Sequence, residues 1–410
     1  MECIKKYALS QIYGEGEKIT AVILAFDKPV CANGTEFEID GRTIETVVSG
    51  KEFEKYMEGR EDLSEYEKRL LAGQSEYHIL IKLSDGDKNA GTIYENAQAE
   101  EGPGGRVGFK ETALKIKMHQ EIKGLEEDSF FEKEFIVTEK RQPLAEKFET
   151  SIFELPDGRH ITYNLYKPEG WDQEKKYPLV IFLEDAGVLS LDPGITLCQG
   201  LGAVVWTTPQ EQKKHSCFVL APQFPGPKSL VEDDFSCTWE VQGALELLKY
   251  IIKKYPIDSS RVYGTGQSMG CMTLCKLSSE YPDLFAGCLL VGGQWDPEVI
   301  KNARKGNFWI SVSKGDEKAF PGMNAVTKVF EDSGELVGRE ELDALEDPEV
   351  LNGKISELAK DGNHIHYTWF KGDSVIPEGE VPTPIAHHKN TWRVTYQLEA
   401  LRDWLFAQKK

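Results

Sequence analysis

Short apolar runs alternate with amphipathic segments over the last two thirds of the chain. Runs rich in β-branched and aromatic residues predict buried strands, and apolar positions at helical spacing between them predict helices. The predicted strands lie near Ile161–Tyr166, Leu179–Leu183, Phe218–Ala221, Val262–Gly264, Cys288–Val291, Phe308–Ser313 and His366–Phe370. The predicted helices lie near Glu240–Tyr255, Met269–Glu280, Met323–Asp332 and Trp392–Gln408. This alternation predicts an α/β domain with a mostly parallel sheet and helices on both faces.

The first third of the chain has a different pattern. Its strand-like runs are short and are separated by Gly, Asn and Asp turns, which is typical of an antiparallel sandwich. These runs are Ile19–Phe26, Glu36–Ile39, Tyr77–Lys82 and Thr112–Lys117. We therefore predict two domains, 1–140 and 145–410, joined by a linker at Thr138–Pro143.

Three segments interrupt these patterns. Lys51–Ala72 is dense in charge with aromatic and Leu residues at helical intervals, which predicts either a helical insertion or a solvated loop. Asn89–Arg106 is rich in Gly, Glu and Ala and predicts a loop. Glu331–Asp361 is acidic and helix-prone, and is predicted either to cap a site or to lie on the surface.

The motif Gly266–Gly270 (Gly-Gln-Ser-Met-Gly) is the strongest chemical signal in the sequence. It follows a predicted strand and precedes a predicted helix, which is the context of a nucleophile elbow. Such a turn exposes a strained serine at a helix N-terminus, where N–H groups favour developing negative charge. The alternative is an ordinary Gly- and Ser-rich turn. We predict Ser268 to be a nucleophile.

A nucleophilic serine needs a base and an acid that orients the base, and in α/β-hydrolases the chain order is Ser, Asp or Glu, His. Asp316 follows a predicted buried strand, and Glu317 is its immediate competitor. His387 and His388 lie in a predicted loop before the last helix, and this pattern does not separate them. His364 and His366 alternate within a strand and are predicted to be structural.

The chain resembles bacterial α/β-hydrolase esterases with an N-terminal immunoglobulin-like domain. That group is related to polyhydroxybutyrate depolymerase-like and feruloyl esterase-like enzymes and to prolyl oligopeptidases. The resemblance covers most of 145–410 and is carried by Pro178–Leu183, Gly200–Ala203 with Trp206, Cys217–Gln223, Gly266–Gly270, Tyr281–Ala286, Gln294–Asp296, Gly315–Asp316, and His388 with Trp392 and Arg402–Phe406.

The resemblance implies an α/β-hydrolase fold preceded by a smaller all-β immunoglobulin-like sandwich. It favours His388 as the base, because in such enzymes the histidine stands a few residues before a tryptophan that opens the final helix. It implies a catalytic set of Ser268, Asp316 and His388.

One departure from the family concerns the oxyanion hole. Where these enzymes often carry His-Gly-x-Gly, this chain has Glu184-Asp-Ala-Gly187. The chemistry needs only backbone donors. We predict the N–H groups of Met269 and Ala186 as these donors, with Asp185 as the alternative to Ala186. The two acidic side chains are expected to have a structural or specificity role.

Three side chains are predicted to bind substrate. Gln267 lies beside the predicted nucleophile, and Trp295 follows a buried strand one strand further on. Trp206 is a weaker candidate of the same kind. The alternative for both tryptophans is ordinary core packing, because a buried indole needs only packing and one N–H partner.

The composition of the chain limits the classes of partner that it is expected to bind. The 410 residues carry a net charge of −20, which argues against nucleic acids and anionic membrane surfaces. No apolar run approaches a membrane span, and no signal peptide is recognised, so a cytoplasmic location is expected. The eight cysteines show no metal-ligand spacing, and no metal or cofactor is expected. The partner expected is a small ester, and the N-terminal domain is expected to pack or to join protomers in a homo-oligomer.

Three functions fit these features. The preferred one is a serine carboxylesterase that acts on small or aryl esters, such as the phenolic esters implied by the family resemblance. The alternatives are a serine peptidase of the prolyl-oligopeptidase type and a non-catalytic binding protein on a hydrolase scaffold.

Overall fold

The computed structural model describes residues 1–32, 35–95 and 106–410 and divides into two compact units. The first unit comprises Met1–Tyr94, Phe109–Lys147 and Thr208–Lys213. The second comprises Glu95–Gly108, Phe148–Thr207 and Lys214–Lys410. The predicted loop Asn89–Arg106 falls largely outside the described residues, which omit 96–105.

The chain before Phe148 is built mainly from short strands. Its strands are β1 Cys3–Tyr13, β2 Gly16–Phe26, β3 Val30–Cys31, β4 Phe37–Ile39, β5 Ile44–Ser49, β6 His78–Leu83, β7 Ile93–Glu95, β8 Val107–Phe109, β9 Leu114–Met118, β10 Ile122–Gly124, β11 Ser129–Phe130, β12 Glu134–Val137 and β13 Lys140–Arg141; its helices are α1 Lys51–Glu58 and α2 Glu65–Ala72. Strands β13-β1-β2-β6-β5 form one sheet, and two three-stranded sheets have the orders β11-β10-β3 and β12-β9-β4.

Strand β2 is buried along almost its whole length because both of its faces are covered. Val22 and Leu24 pack into a core shared with the two smaller sheets. Ala21 and Ile23, on the opposite face, pack against Phe53 and other residues of the 51–72 segment. That segment therefore forms two helices rather than a solvated loop, because its apolar residues cover an apolar sheet face.

The second unit contains a nine-stranded sheet with the order β14-β15-β17-β16-β18-β19-β20-β22-β21. The strands are β14 Phe148–Glu154, β15 His160–Tyr166, β16 Tyr177–Leu183, β17 Phe218–Gln223, β18 Ile257–Gln267, β19 Gly287–Val291, β20 Phe308–Ser313, β21 Val337–Leu342 and β22 Ile365–Phe370. The pairs β14–β15 and β15–β17 are antiparallel, and all other pairs are parallel.

The α-helices that follow Phe148 in the chain are α3 Ile195–Cys198, α4 Leu201–Val204, α5 Pro209–Lys214, α6 Trp239–Lys254, α7 Met269–Glu280, α8 Pro297–Ile300, α9 Ala319–Asp332, α10 Pro348–Leu358, α11 Pro384–Thr395 and α12 Glu399–Ala407, of which α5 belongs almost entirely to the first unit. Strands β17, β19 and β20 are buried at every residue. A sheet buried on both faces explains why these strands are continuous apolar runs in the sequence.

The last predicted helix is two helices, and both candidate histidines lie on the first of them. Thr383 accepts a hydrogen bond from the Ala386 N–H with its side chain, and Pro384 occupies the first turn of α11. Proline at that position starts a helix rather than preventing it. The prediction that His387 and His388 lie in a loop is therefore wrong, as is the prediction that Trp392 opens the final helix.

The acidic segment Glu331–Asp361 completes the edge of the sheet. It contributes the end of α9, then β21, which pairs with β22, and then α10, which begins at Pro348 after the Asp347 cap. Leu351 and Ile355 bury one face of α10. None of the described residues that line the cavity at Ser268 comes from this segment.

None of the helices formed by the described residues has the length and apolar character required to cross a membrane. All eight cysteines belong to the described residues, which contain no disulfide.

The turn between β18 and α7 packs directly on the neighbouring strand β16. A Cβ added to Gly270 would lie 2.0 Å from the Leu183 carbonyl oxygen. A Cβ added to Gly266 would lie 2.7 Å from the carbonyl carbon of Gly270 and 2.9 Å from the same Leu183 oxygen. Because these neighbours are backbone atoms, they cannot move aside as a flexible side chain could. The motif glycines are therefore required by close backbone approach.

We predict that Gly270→Ala lowers the free energy of unfolding by about 3 kcal/mol or more, because overpacking here meets backbone. Gly353→Ala is the matched control, since Gly353 lies inside α10 with no atom within 4 Å of an added Cβ. It should raise stability by ~0.5–1 kcal/mol through helix propensity. Chemical denaturation of the two variants measures this, and a Gly270→Ala protein as stable as wild type would contradict the packing argument.

Candidate active site

Ser268 occupies a strained backbone position between β18 and α7. Its φ is 52° and its ψ is −116°, an unusual conformation for a residue with a side chain. Its N–H donates to the Val291 carbonyl at 2.9 Å, and its carbonyl accepts from the Met272 N–H at 3.0 Å. These bonds and the glycine contacts hold a conformation that would otherwise relax.

The side chains of Ser268, His388 and Asp316 form a continuous hydrogen-bonded chain. His388 Nε2 lies 2.8 Å from Ser268 Oγ, and His388 Nδ1 lies 2.5 Å from Asp316 Oδ2. An ionised carboxylate can only accept, so Nδ1 carries the hydrogen and Nε2 is left to accept from the serine hydroxyl. Trp392, one turn along α11, packs its ring edge-to-face with the imidazole at 4.9 Å between centroids.

Asp316 is fixed by the turn that follows β20. Its Oδ1 accepts the N–H groups of Lys318 at 3.0 Å and Ala319 at 2.9 Å. Burial acts to raise the pKa of Asp316, but the hydrogen bond and charge of His388 and these backbone donors together bring the pKa below its ordinary value. Asp316 therefore stays ionised at neutral pH. Glu317, its competitor, is exposed at the cavity.

The other candidate histidines lie elsewhere. His387 is buried, with Nδ1 3.0 Å from Ser313 Oγ and Nε2 3.1 Å from an Asp373 carboxylate oxygen. A Cβ on Gly315 would lie 2.3 Å from the His387 ring, so the histidine packs on the loop that carries Asp316. His366 stacks on a tryptophan within the sheet.

The two predicted oxyanion donors are backbone N–H groups without a hydrogen-bond partner among the described residues. Met269 is the first residue of α7, where helical N–H groups are free. Ala186 begins a 3₁₀ turn, Ala186–Val188, that the Asp185 side chain caps by accepting the Gly187 N–H at 2.8 Å. Both groups are thus available to a negatively charged oxygen.

The segment 184–190 is called the proposed oxyanion loop, because it contains the predicted donor Ala186. Its two acidic side chains, Glu184 and Asp185, are directed into the protein. Glu184 is fully buried, and its Oε1 accepts from the Phe224 N–H at 2.9 Å and from Gln223 Nε2 at 3.0 Å. Asp185 Oδ2 accepts from Gln267 Nε2 at 2.8 Å. Burial, chiefly, raises the pKa of Glu184 well above its ordinary value. Both residues have structural contacts in this loop.

A cavity of about 310 Å³ opens at the Ser268 hydroxyl. Its described lining residues are Asp233, Ser268, Met272, Gly292, Gly293, Gln294, Asp316, Glu317, Lys318, Ala319, Pro384, Ile385 and His388. Asp233 forms an ion pair with Lys318 and accepts a hydrogen bond from Gln294 Nε2 at 3.0 Å. The described lining residues include no group of three His, Cys, Asp or Glu side chains placed to share a metal ion.

The structure does not bring the three predicted substrate-binding side chains to this cavity. Trp206 is fully buried and donates its indole N–H to the Gly202 carbonyl at 2.8 Å. Trp295 is 3% exposed and packs against Phe235. Gln267 is 2% exposed and bonds to Asp185. Core packing and internal hydrogen bonds therefore occupy these side chains.

Other residues that line the cavity were not predicted from the sequence. Met272 lies one helical turn after Ser268, so helical spacing could have found it. Pro384 and Ile385 sit four and three residues before His388 on the same helix, but only the correct start of α11 would have revealed this. Asp233 has no comparable signal in the sequence.

No family model matches the chain. A solved structure described as a thermostable esterase aligns with a TM-score of 0.78 at 21% identity, covering 99% of this chain and 100% of that one. This establishes the α/β-hydrolase fold, with its mixed, mostly parallel sheet, for the second unit.

Curated relatives match shorter stretches. A probable acetylxylan esterase A of Aspergillus clavatus is 28% identical over 137 residues, covering 30% of this chain and 44% of that protein. A feruloyl esterase B of Talaromyces stipitatus is 38% identical over 65 residues, covering 13% and 18%. The matches thus span less than half the length of these relatives. The similarity to esterases, including feruloyl esterases, that the sequence predicted is confirmed.

We predict a pH-dependent stability difference between wild type and Glu184→Gln. Because the folded pKa of Glu184 is raised, the folded state keeps a proton that the unfolded chain releases above about pH 5. The free energy of unfolding of wild type should therefore fall relative to that of Glu184→Gln as the pH rises from about 5 towards the pKa of Glu184 in the folded state. The fall should be up to ~1.4 kcal/mol per pH unit. Denaturant unfolding between pH 5 and 9 measures the difference, and a flat difference would contradict the burial argument.

Proposed function

We propose that this protein is a serine carboxylesterase that hydrolyses small or aryl esters through an acyl-enzyme. The observation that carries the proposal is the chain from Ser268 Oγ through His388 to Asp316, at 2.8 Å and 2.5 Å. Nucleophile, base and orienting acid at these distances are what acyl transfer requires. The esterase relatives and the cavity beside Ser268 support it.

In the acylation step, Ser268 Oγ attacks the ester carbonyl carbon while His388 Nε2 takes the hydroxyl proton. The carbonyl π electrons move to oxygen, and the N–H groups of Met269 and Ala186 stabilise the resulting oxyanion. The tetrahedral intermediate collapses, the bond to the alcohol oxygen breaks, and the histidinium returns its proton to that oxygen. The alcohol leaves and the acyl group stays on Ser268.

In the deacylation step, water attacks the acyl carbonyl while His388 takes one of its protons. The second tetrahedral intermediate expels Ser268 Oγ, which recovers a proton from the histidinium, and the carboxylic acid is released. Asp316 stays ionised throughout, holds the imidazole in the required tautomer and stabilises its positive charge.

The cavity favours a compact, partly apolar acyl or alcohol group. Met272, Pro384 and Ile385 give it apolar surface, and Lys318, Asp233 and Gln294 give it a polar rim. A phenolic ester combines an apolar ring with hydroxyl groups and fits this division. The name of the feruloyl esterase relative supports a phenolic ester, and the name of the acetylxylan esterase relative supports a small acyl group.

For the first unit we propose an immunoglobulin-like sandwich with a non-catalytic role in packing or in joining protomers. Its three sheets share one apolar core, which supports a sandwich.

We predict that Ser268→Ala lowers kcat for a short p-nitrophenyl ester by roughly 10⁴- to 10⁶-fold, because removing a triad nucleophile causes losses of that order. Ser278→Ala, a buried serine on the same helix outside the cavity, is the matched control and should keep most of the activity. Steady-state ester hydrolysis by purified proteins measures both. Near wild-type turnover by Ser268→Ala would show that another residue is the nucleophile.

The adjacent histidines allow a second matched comparison. His388→Gln should abolish ester hydrolysis, since glutamine cannot take the serine proton, whereas His387→Gln should retain most of it. The measurement is kcat at neutral pH for both variants, with circular dichroism to verify folding. An active His388→Gln protein beside an inactive His387→Gln protein would reverse the assignment of the base.

A further inference from the structure

Arg106 lies far before the catalytic motifs in the chain but contacts the oxyanion loop directly. Its Nη1 donates to the Ala186 carbonyl at 3.0 Å, and its backbone N–H donates to the Leu189 carbonyl at 2.6 Å. Next to it, the Val107 carbonyl accepts a hydrogen bond from Ser190 Oγ at 2.7 Å. The loop from Ala186 to Ser190 is therefore held along its length by Arg106 and Val107.

The same guanidinium reaches a second loop. Its Nη2 donates to the Pro227 carbonyl at 3.0 Å and lies 3.4 Å from Ser229 Oγ. The planar fork of arginine can bridge two carbonyl groups at once, which the single ammonium of lysine does less well. Arg106 thus ties the loop that contains Ala186 to the loop that contains Pro227.

That second loop touches the other oxyanion donor residue. The Leu230 N–H lies 3.2 Å from the Met269 sulfur, in hydrogen-bond contact. The start of the loop is tied to the strand end as well, because the Phe224 N–H donates to Glu184. Arg106 therefore lies between two backbone segments, each of which contacts a residue assigned to the oxyanion hole.

The peptide groups beside the Ala186 N–H are constrained from both sides. The Asp185 carbonyl accepts the Val188 N–H at 3.4 Å, and the Gly187 N–H donates to the Asp185 side chain at 2.8 Å. The Ala186 carbonyl is held by Arg106. The Ala186 carbonyl and the Gly187 N–H belong to one peptide plane, so losing the Arg106 bond leaves that plane held by the Asp185 side chain alone. The direction of the Ala186 N–H depends on the orientation of this plane, because the two peptide groups share the Ala186 Cα.

We propose that Arg106 is a positioning residue that fixes the Ala186 N–H for oxyanion binding. The inference rests on the proposed esterase function. Arg106 does not touch the reacting atoms. It acts through Ala186 in the transition state, where the carbonyl oxygen becomes charged, and has little effect on the ground-state ester.

The test compares Arg106→Ala, Arg106→Lys and wild type with a short p-nitrophenyl ester. Arg106→Ala should lower kcat by about 10- to 100-fold, somewhat less than the loss from deleting an oxyanion donor, with KM little changed. Affinity for a boronic acid, which forms a tetrahedral adduct on the serine, should fall by a similar factor. Millimolar methylguanidinium should restore part of kcat, and Arg106→Lys should lie between wild type and Arg106→Ala.

Arg261→Ala is the matched control for general loss of a bridging arginine. Arg261 donates to the Lys176 carbonyl at 3.1 Å and to Asp258 at 2.7 Å, away from the cavity. The Arg261→Ala variant should have the kcat and the boronic acid affinity of wild type. If Arg106→Ala does not fold, Arg106→Lys carries the test, with a several-fold lower kcat and weaker boronate binding expected.

The outcomes separate this inference from the proposed function. Failure of wild type to react with a fluorophosphonate at Ser268 would refute the esterase proposal itself. If wild type reacts and Arg106→Ala shows unchanged kcat and boronate affinity, only the role of Arg106 is refuted. It is also refuted if Arg261→Ala loses activity to the same extent.

Discussion

The contact between the β18–α7 turn and strand β16 is the constraint on which the site depends. Gly270 approaches the Leu183 carbonyl so closely that no side chain fits at that position. This approach brings Ser268, the proposed nucleophile, beside the end of β16, and the proposed oxyanion loop begins at the next residue, Glu184. One backbone contact thereby joins the proposed nucleophile to the segment proposed to stabilise the product of its attack.

The proposed oxyanion loop shows how a departure from the His-Gly-x-Gly motif of similar esterases is accommodated. Acidic residues beside a developing negative charge would oppose it, yet neither carboxylate faces the cavity. Glu184 is fully buried with a raised pKa, and Asp185 bonds to Gln267 and to the loop backbone. The side chains thus support the loop from inside, while its backbone N–H groups remain available for the proposed oxyanion role, which does not depend on side-chain identity.

Local patterns in the sequence were sufficient to predict much of the fold. Strands such as β20 were predictable because both sheet faces are covered, and α7 was predicted with its observed bounds, Met269–Glu280. Strand β21 was not predictable from the sequence. An edge strand tolerates charged residues, and the charged sequence Val337–Leu342 is typical of a helix. Helix α11 was not predicted, because its first turn contains Pro384 and a proline fits the loop expected before His387 as well as the first turn of a helix.

The site was predictable where it follows from chain order and strand ends, and not where it depends on tertiary contacts. Asp316 could be chosen from its place after a strand, but His388 was separated from His387 only by family resemblance. Which face of α11 meets the serine depends on how that helix packs. The burial of Trp206 and Trp295 could not be predicted from the local sequence, because it depends on distant neighbours.

The central claim, that Ser268 carries the acyl group during turnover, is tested most directly by trapping that intermediate. A reaction with a slowly hydrolysed ester is quenched in acid during the burst phase, and the protein is digested and mapped by mass spectrometry. The account predicts an acyl mass on the peptide that contains Ser268, formed at the rate of the burst. Acylation of a different residue, or turnover with no acylated peptide at any time, would contradict it.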